Sequence, residues 1–172
     1  IFYNQSIRTG NRDMKSKLIW LFVWGITFGY IESSIVVYLR ELYYPNGFSS
    51  PVIIADASIA LTEIVRELAT LIIMFATARL VYDDFKRRFA AYIIIFGVWD
   101  IFYYVFLKII LSWPESLLTW DILFLIPYPW VGPVWAPVLV SVGLISAGII
   151  IIKMQDVGKT IQLDKQFWIL EI

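Results

Sequence analysis

Three stretches of the chain, residues 18–39, 89–111 and 134–152, stay apolar for about the 20 residues that a helix needs to cross a bilayer. The first is interrupted only by Glu32, the second carries Asp100 and Lys108, and the third has no charge at all. Backbone amides have no water to bond to at that depth, so such runs form helices. Apolar residues make up 60% of the 172-residue chain and charged residues 16%, against about 25% charge in a soluble domain. The expected fold is all-α: one polytopic membrane domain covering residues 1–172.

A fourth run, residues 52–78, is long enough to cross but contains Asp56, Glu63, Arg66 and Glu67. Three charges near its centre cost about 9 kcal/mol on insertion, while its large apolar side chains return about 4–8 kcal/mol. Alone it would insert marginally, so it is expected to cross only when sheltered by neighbouring helices. Ser50 and Pro51 provide an N-cap and a first helical residue for it. Four transmembrane helices result, with residues 1–17 and 153–172 as tails. Between the third and fourth spans, Ser112 and Glu115 have capping-box spacing, with Pro114 in the first turn. Residues 114–126 are therefore expected to form a short helix, interfacial or re-entrant because it is too short to span. Pro127, Pro129, Gly132 and Pro133 separate it from the last span, and Pro137 falls in that span's first turn, where a missing N–H costs little.

The basic residues give the topology. Arg8, Arg12, Lys15 and Lys17 precede the first span; Arg79, Lys86, Arg87 and Arg88 lie between the second and third; Lys153, Lys159 and Lys165 follow the last. Eleven of the 14 Lys and Arg residues thus fall on one side of a four-span arrangement. The positive-inside rule makes that side cytoplasmic, both termini included, and the setting is expected to be a prokaryotic plasma membrane. Met14-Lys15-Ser16-Lys17 ahead of the apolar run has the form of a translation start, and the status of residues 1–13 stays open on this reading. The run is too long for a signal peptide and has no small-residue cleavage site before Glu32, so an uncleaved first span is expected.

Charge and residue absences exclude several functions. Lys plus Arg and Asp plus Glu both number 14, and a neutral chain lacks the basic face that nucleic acid requires. Without Cys there is no disulfide, thiolate nucleophile or iron–sulfur cluster; without His the common haem and zinc ligand is missing, as is the commonest general base. No glycine-rich phosphate loop or nucleophile–base pair is visible. Neither catalytic residues nor a metal site is assigned.

Chemistry is instead expected at the charges inside the bilayer, each expensive to place there. Asp56, Glu63 and Glu67 share one helical face, extended by Thr70 and Thr77, with Arg66 at its edge. Asp100, Tyr104 and Lys108 stack at successive turns of the third span near Gly97; Gly25 and Gly29 form a GxxxG on the side of Glu32. The candidate polar cluster is Glu32, Asp56, Glu63, Arg66, Glu67, Asp100, Tyr104 and Lys108. Its five acids cannot all pair with its two bases, so at least one carboxyl is expected to be protonated or cation-bound. Glu63 and Glu67 are the expected proton-sharing pair, with Arg66 reaching Glu32 or Asp100. The competing expectation is that these charges only fix helix register.

Trp113, Trp120, Asp121, Trp130 and Trp135, with Tyr38, Tyr43, Tyr44, Phe48 and Tyr128, gather on the outer side. They read as an interfacial aromatic belt or, alternatively, as a lid over the polar cluster. Residues 129–135 resemble the Pro/Trp-rich turn of the tryptophan-rich sensory (translocator) proteins, but late in the chain and with a different span count, so no ligand or activity is carried across. Two functions are weighed. The first is a non-catalytic accessory or structural subunit, or a homo-oligomer, whose partners are membrane lipids and other membrane chains or copies of itself. The second is a small carrier or lipid-modifying enzyme using the cluster as a proton, cation or substrate site. No cofactor is expected, although the aromatic layer could hold a lipid, quinone or pigment.

Overall fold

The computed structural model describes residues 2–43 and 57–157, with side chains for 13–42 and 57–157. Ser50, Pro51, Asp56, Tyr44, Phe48, Lys159, Lys165 and the rest of the C-terminal tail lie outside the described residues. The chain runs α1 (Phe2–Tyr43), α2 (Ala57–Val81), α3 (Phe85–Leu111), β1 (Trp120–Phe124), β2 (Trp130–Pro133) and α4 (Trp135–Asp156). Three stretches are long and apolar enough to cross a membrane: Asp13–Leu42 of α1, Phe85–Leu111 and Trp135–Asp156. α2 matches them in length, but Glu63, Arg66, Glu67 and Arg79 keep it outside that group.

α3 is the central helix, packed on α1 and α4 and more lightly on α2. Asp84 caps its start with extended backbone, its carboxylate accepting from the Arg87 N–H at 2.9 Å. Small residues set the approach of its neighbours. A Cβ on Gly25 would lie 2.8 Å from the Val98 side chain, and one on Gly29 would lie 3.0 Å from the Trp99 carbonyl oxygen. On the opposite flank, a Cβ on Gly97 would meet the Ser141 carbonyl at 2.7 Å, and one on Gly148 the Ala90 carbonyl at 2.8 Å. Backbones this close gain van der Waals contact that bulkier residues would prevent. Leu21, Met74, Ala78, Ile94, Ile95, Val98 and Ile152 fill the core between the four helices.

The basic clusters meet at one end of the bundle. Lys17 lies over the Tyr82 ring at 5.0 Å, and Arg87 pairs with Asp156 at 2.9 Å. The early part of α1, the α2–α3 turn and the end of α4 are thereby joined.

The expected helix over 114–126 is not formed. Ser112 is not an N-cap but the left-handed residue that closes α3, with φ 57°. Residues 115–118 make bends and a turn, and β1 then pairs antiparallel with β2: Trp120 opposite Pro133, Asp121 opposite Gly132, Ile122 opposite Val131. Aromatic and β-branched residues such as Trp120, Ile122 and Val131 favour extended backbone. Pairing with the segment after Pro127 and Pro129 decides the outcome, and the local capping pattern cannot register that. The Val134 N–H donates to the Thr119 carbonyl at 3.0 Å and Trp135 N–H to Leu117 at 2.9 Å, tying the hairpin to the start of α4.

Candidate intramembrane polar site

Arg66 holds two helices together. Its Nη1 donates to the Glu32 carboxylate of α1, while Nε and Nη2 reach Glu63 Oε2 at 3.0 and 2.6 Å. The remaining Glu32 oxygen accepts from the Thr70 hydroxyl at 2.8 Å. Glu32 is only 3% exposed, so these donors replace the water that a carboxylate would otherwise need. The planar guanidinium serves both carboxylates at once, which a lysine ammonium could not do with the same geometry.

One turn along, Glu67 faces a different partner. Its carboxylate accepts the Leu125 N–H at 2.9 and 3.1 Å and the Ile126 N–H at 3.0 Å. These amides follow β1, so α2 pins the hairpin through backbone groups. Among the described residues no hydrogen bond joins Glu63 to Glu67: the first meets Arg66 and the second the hairpin amides.

The α3 residues divide again. Asp100, 7% exposed, accepts from the Ser141 hydroxyl of α4 at 2.7 Å. Tyr104 donates to Asp121 of β1 at 3.2 Å. Burial pushes the Asp121 carboxyl up to about 6, opposed by a backbone hydrogen bond at Ile122 and by the Arg40 charge. Lys108 turns to the chain end, donating to the Pro114 carbonyl at 2.8 Å and the Ser112 carbonyl at 3.2 Å. Arg40 lies 3.9 Å over the Trp113 ring.

Of the eight expected cluster residues, the structure brings together Glu32, Glu63 and Arg66. It sets Glu67 against the hairpin, places Asp100 against α4 and Tyr104 against Asp121, and directs Lys108 to the loop. Asp56 lies outside the described residues. Among the outer aromatics, Trp120, Trp130 and Trp135 are exposed, whereas Trp113 is covered by Arg40. The missed partner was Ser141; its signal was a hydroxyl on the charge-free span, facing α3 beside Gly97. Among the described residues, no group of three or more metal-ligating side chains is placed to hold an ion.

No family model, curated protein or solved structure matches this chain. The fold alone defines the class: a mostly helical protein with three candidate membrane-spanning helices.

Proposed function

We propose that the chain is a non-catalytic four-helix integral membrane protein, acting as an accessory or structural subunit of a larger membrane assembly or as a homo-oligomer. The observation that carries this reading is Arg66 shared between Glu32 and Glu63, a part-buried charge set built around the buried Glu32. Such a set fixes which helices meet and in which register. α2 supports the fourth span: Glu63, Arg66 and Glu67 turn inward while Leu61, Ile64, Val65, Leu68, Ile72 and Phe75 are exposed. That outer surface suits lipid or a neighbouring helix. α4 offers a second such surface through Leu139, Val140, Val142 and Ile150. With the basic end cytoplasmic, both termini lie inside and the hairpin outside.

The deciding measurement is the mass of the detergent-solubilised native particle. A particle larger than one 20.0 kDa chain, or one carrying another membrane chain, is expected; a lone monomer would overturn the assembly reading. Tags on the two termini should both be reached only from the cytoplasmic side.

A second reading, a carrier or lipid-modifying enzyme, is favoured by one observation. Asp100 and Asp121 are held by hydroxyls and make no ion pair among the described residues. Carboxyls held this way can take up a proton or cation. Glu63→Gln separates the readings: loss of assembly supports the structural role, and a well-assembled but inactive protein supports the carrier or enzyme.

A further inference from the structure

The Arg66 site satisfies its polar atoms, but the basic end of the bundle does not. Among the described residues, four buried donor groups there have no hydrogen-bond partner: the Tyr82 hydroxyl, Arg87 Nε, Arg88 Nε and Gln155 Nε2. Unsatisfied buried donors are rare because each loses its hydration without replacement. Tyr82 is 8% exposed, and its side chain sits in the core cluster. Around it stand Lys17 over the ring and Arg87, Asp156, Asp13 and Asp84 within electrostatic reach. Arg87 ties the set together: one guanidinium nitrogen reaches Asp156 at 2.9 Å, beside Gln155 in sequence, while its Nε is left over.

We propose that this end binds the phosphate of an anionic phospholipid headgroup, where α1, the α2–α3 turn, α3 and α4 converge. Three features select that ligand. Each unpaired group can donate, so together they suit an acceptor with several oxygens, and phosphate presents them to guanidinium geometry. Among the described residues, seven basic ones (Lys15, Lys17, Arg79, Lys86, Arg87, Arg88, Lys153) outnumber four acids (Asp13, Asp83, Asp84, Asp156) at this end, and such juxtamembrane basic clusters attract anionic lipids. Beside Arg88, the ring pair Phe85–Phe89, with centroids 6.5 Å apart, and Leu80 are exposed. That apolar surface gives acyl chains a place beside the headgroup, so the source is a lipid and not free phosphate. The Tyr82 hydroxyl, pushed up to about 12 first by burial, keeps its proton and serves as a donor.

The inference rests on the membrane-integral reading, but it is independent of oligomeric state because each chain carries the whole site. The test uses the purified full chain in neutral detergent, titrated with phosphatidylglycerol, with phosphatidylcholine of the same acyl chains, and with inorganic phosphate. Bound lipid is counted by native mass spectrometry. Phosphatidylglycerol should bind at least about tenfold more tightly than phosphatidylcholine, whose choline ammonium neutralises the phosphate that the basic residues attract. Inorganic phosphate should not displace it. Tyr82→Phe, which keeps the ring, and Arg87→Gln should each weaken phosphatidylglycerol binding about tenfold, the size of one charge-assisted hydrogen bond, while the native particle mass stays unchanged. Equal binding of the two lipids, displacement by inorganic phosphate, or undiminished phosphatidylglycerol binding in both variants would overturn the assignment. A changed particle mass in the unmodified protein bears only on the assembly reading.

Discussion

Two polar centres in the same bundle solve the burial of a carboxylate in opposite ways. At the α1–α2 contact, Glu32 is met by a guanidinium and a hydroxyl, so charge answers charge. At the α3–α4 and α3–hairpin contacts, Asp100 and Asp121 are met by the hydroxyls of Ser141 and Tyr104. An ion pair holds its geometry only while both partners are charged. A carboxyl bonded to a hydroxyl can keep or lose its proton, and the hydroxyl then donates or accepts accordingly. The first centre is thus a fastener, and the second is the part of the molecule able to respond to protons.

The largest expected effect comes from breaking the fastener. Arg66→Met leaves the buried Glu32 carboxylate with a single hydroxyl donor, and removing one partner of a buried ion pair costs about 3–5 kcal/mol. Thermal unfolding in detergent should show it, together with separation of α2 from α1 in a cysteine cross-linking scan of the two helices. A loss under about 1 kcal/mol would put the Arg66 contact among weak surface pairs and erase the contrast between the centres.

The next effect belongs to the responsive centre and depends on pH. Asp121 has an ordinary value of 3.8 and stands at about 6 in the folded chain. Between those values the folded chain holds a proton that the unfolded chain has released, so stability falls as pH rises. Its contribution is complete below about pH 4, declines by at most about 1.4 kcal/mol per pH unit, and is flat above about pH 6. Unfolding followed from pH 4 to pH 7 should show this slope, and Asp121→Asn should remove it. A slope of opposite sign would mean that Arg40, not burial, governs the group.

Ser141→Ala comes third. It removes the hydroxyl that Asp100 accepts from among the described residues and leaves the carboxyl buried, a cost of about 1–3 kcal/mol. Ser146→Ala, whose hydroxyl bonds back to the Val142 carbonyl on the exposed side of the same helix, should change stability by under about 0.5 kcal/mol. Equal effects would mean that the Ser141 bond adds nothing specific.

How much of this was legible in the sequence follows from the range of the interactions. The three long apolar runs could be read directly because bilayer thickness imposes their length. Gly25 and Gly29 were readable as a contact face because close approach needs small residues at helical spacing. The Arg66–Glu32 link was one of two pairings anticipated, since few cations lie at that depth. The hairpin was not legible: Ser112, Pro114 and Glu115 form a good local helix signal, and what overrides it is pairing of Trp120–Phe124 with a strand beyond two prolines. The division of the polar residues was hidden for a related reason. Helical phase shows that Glu63 and Glu67 share a face, but not that Arg66 occupies one and the hairpin amides the other.

The smallest effect tests whether the hairpin belongs to the responsive centre or merely rests on it. Two helix side chains hold the hairpin among the described residues: Tyr104 on Asp121 at 3.2 Å, and Glu67 on the Leu125 and Ile126 amides at 2.9–3.1 Å. Tyr104→Phe deletes only the first, and its geometry is the weaker, so the expected cost is about 0.5–1.5 kcal/mol. The hairpin should stay seated on Glu67, with amide exchange at Leu125 and Ile126 unchanged, while exchange around Asp121 and Gly132 quickens. If exchange rises equally at all four positions, the hairpin opens as one unit from the Asp121 side, and the two bonds form a single latch. If none rises, the Tyr104 hydroxyl does not hold the strand, and Asp121 is kept in place by its pairing with Gly132 and the backbone bond at Ile122.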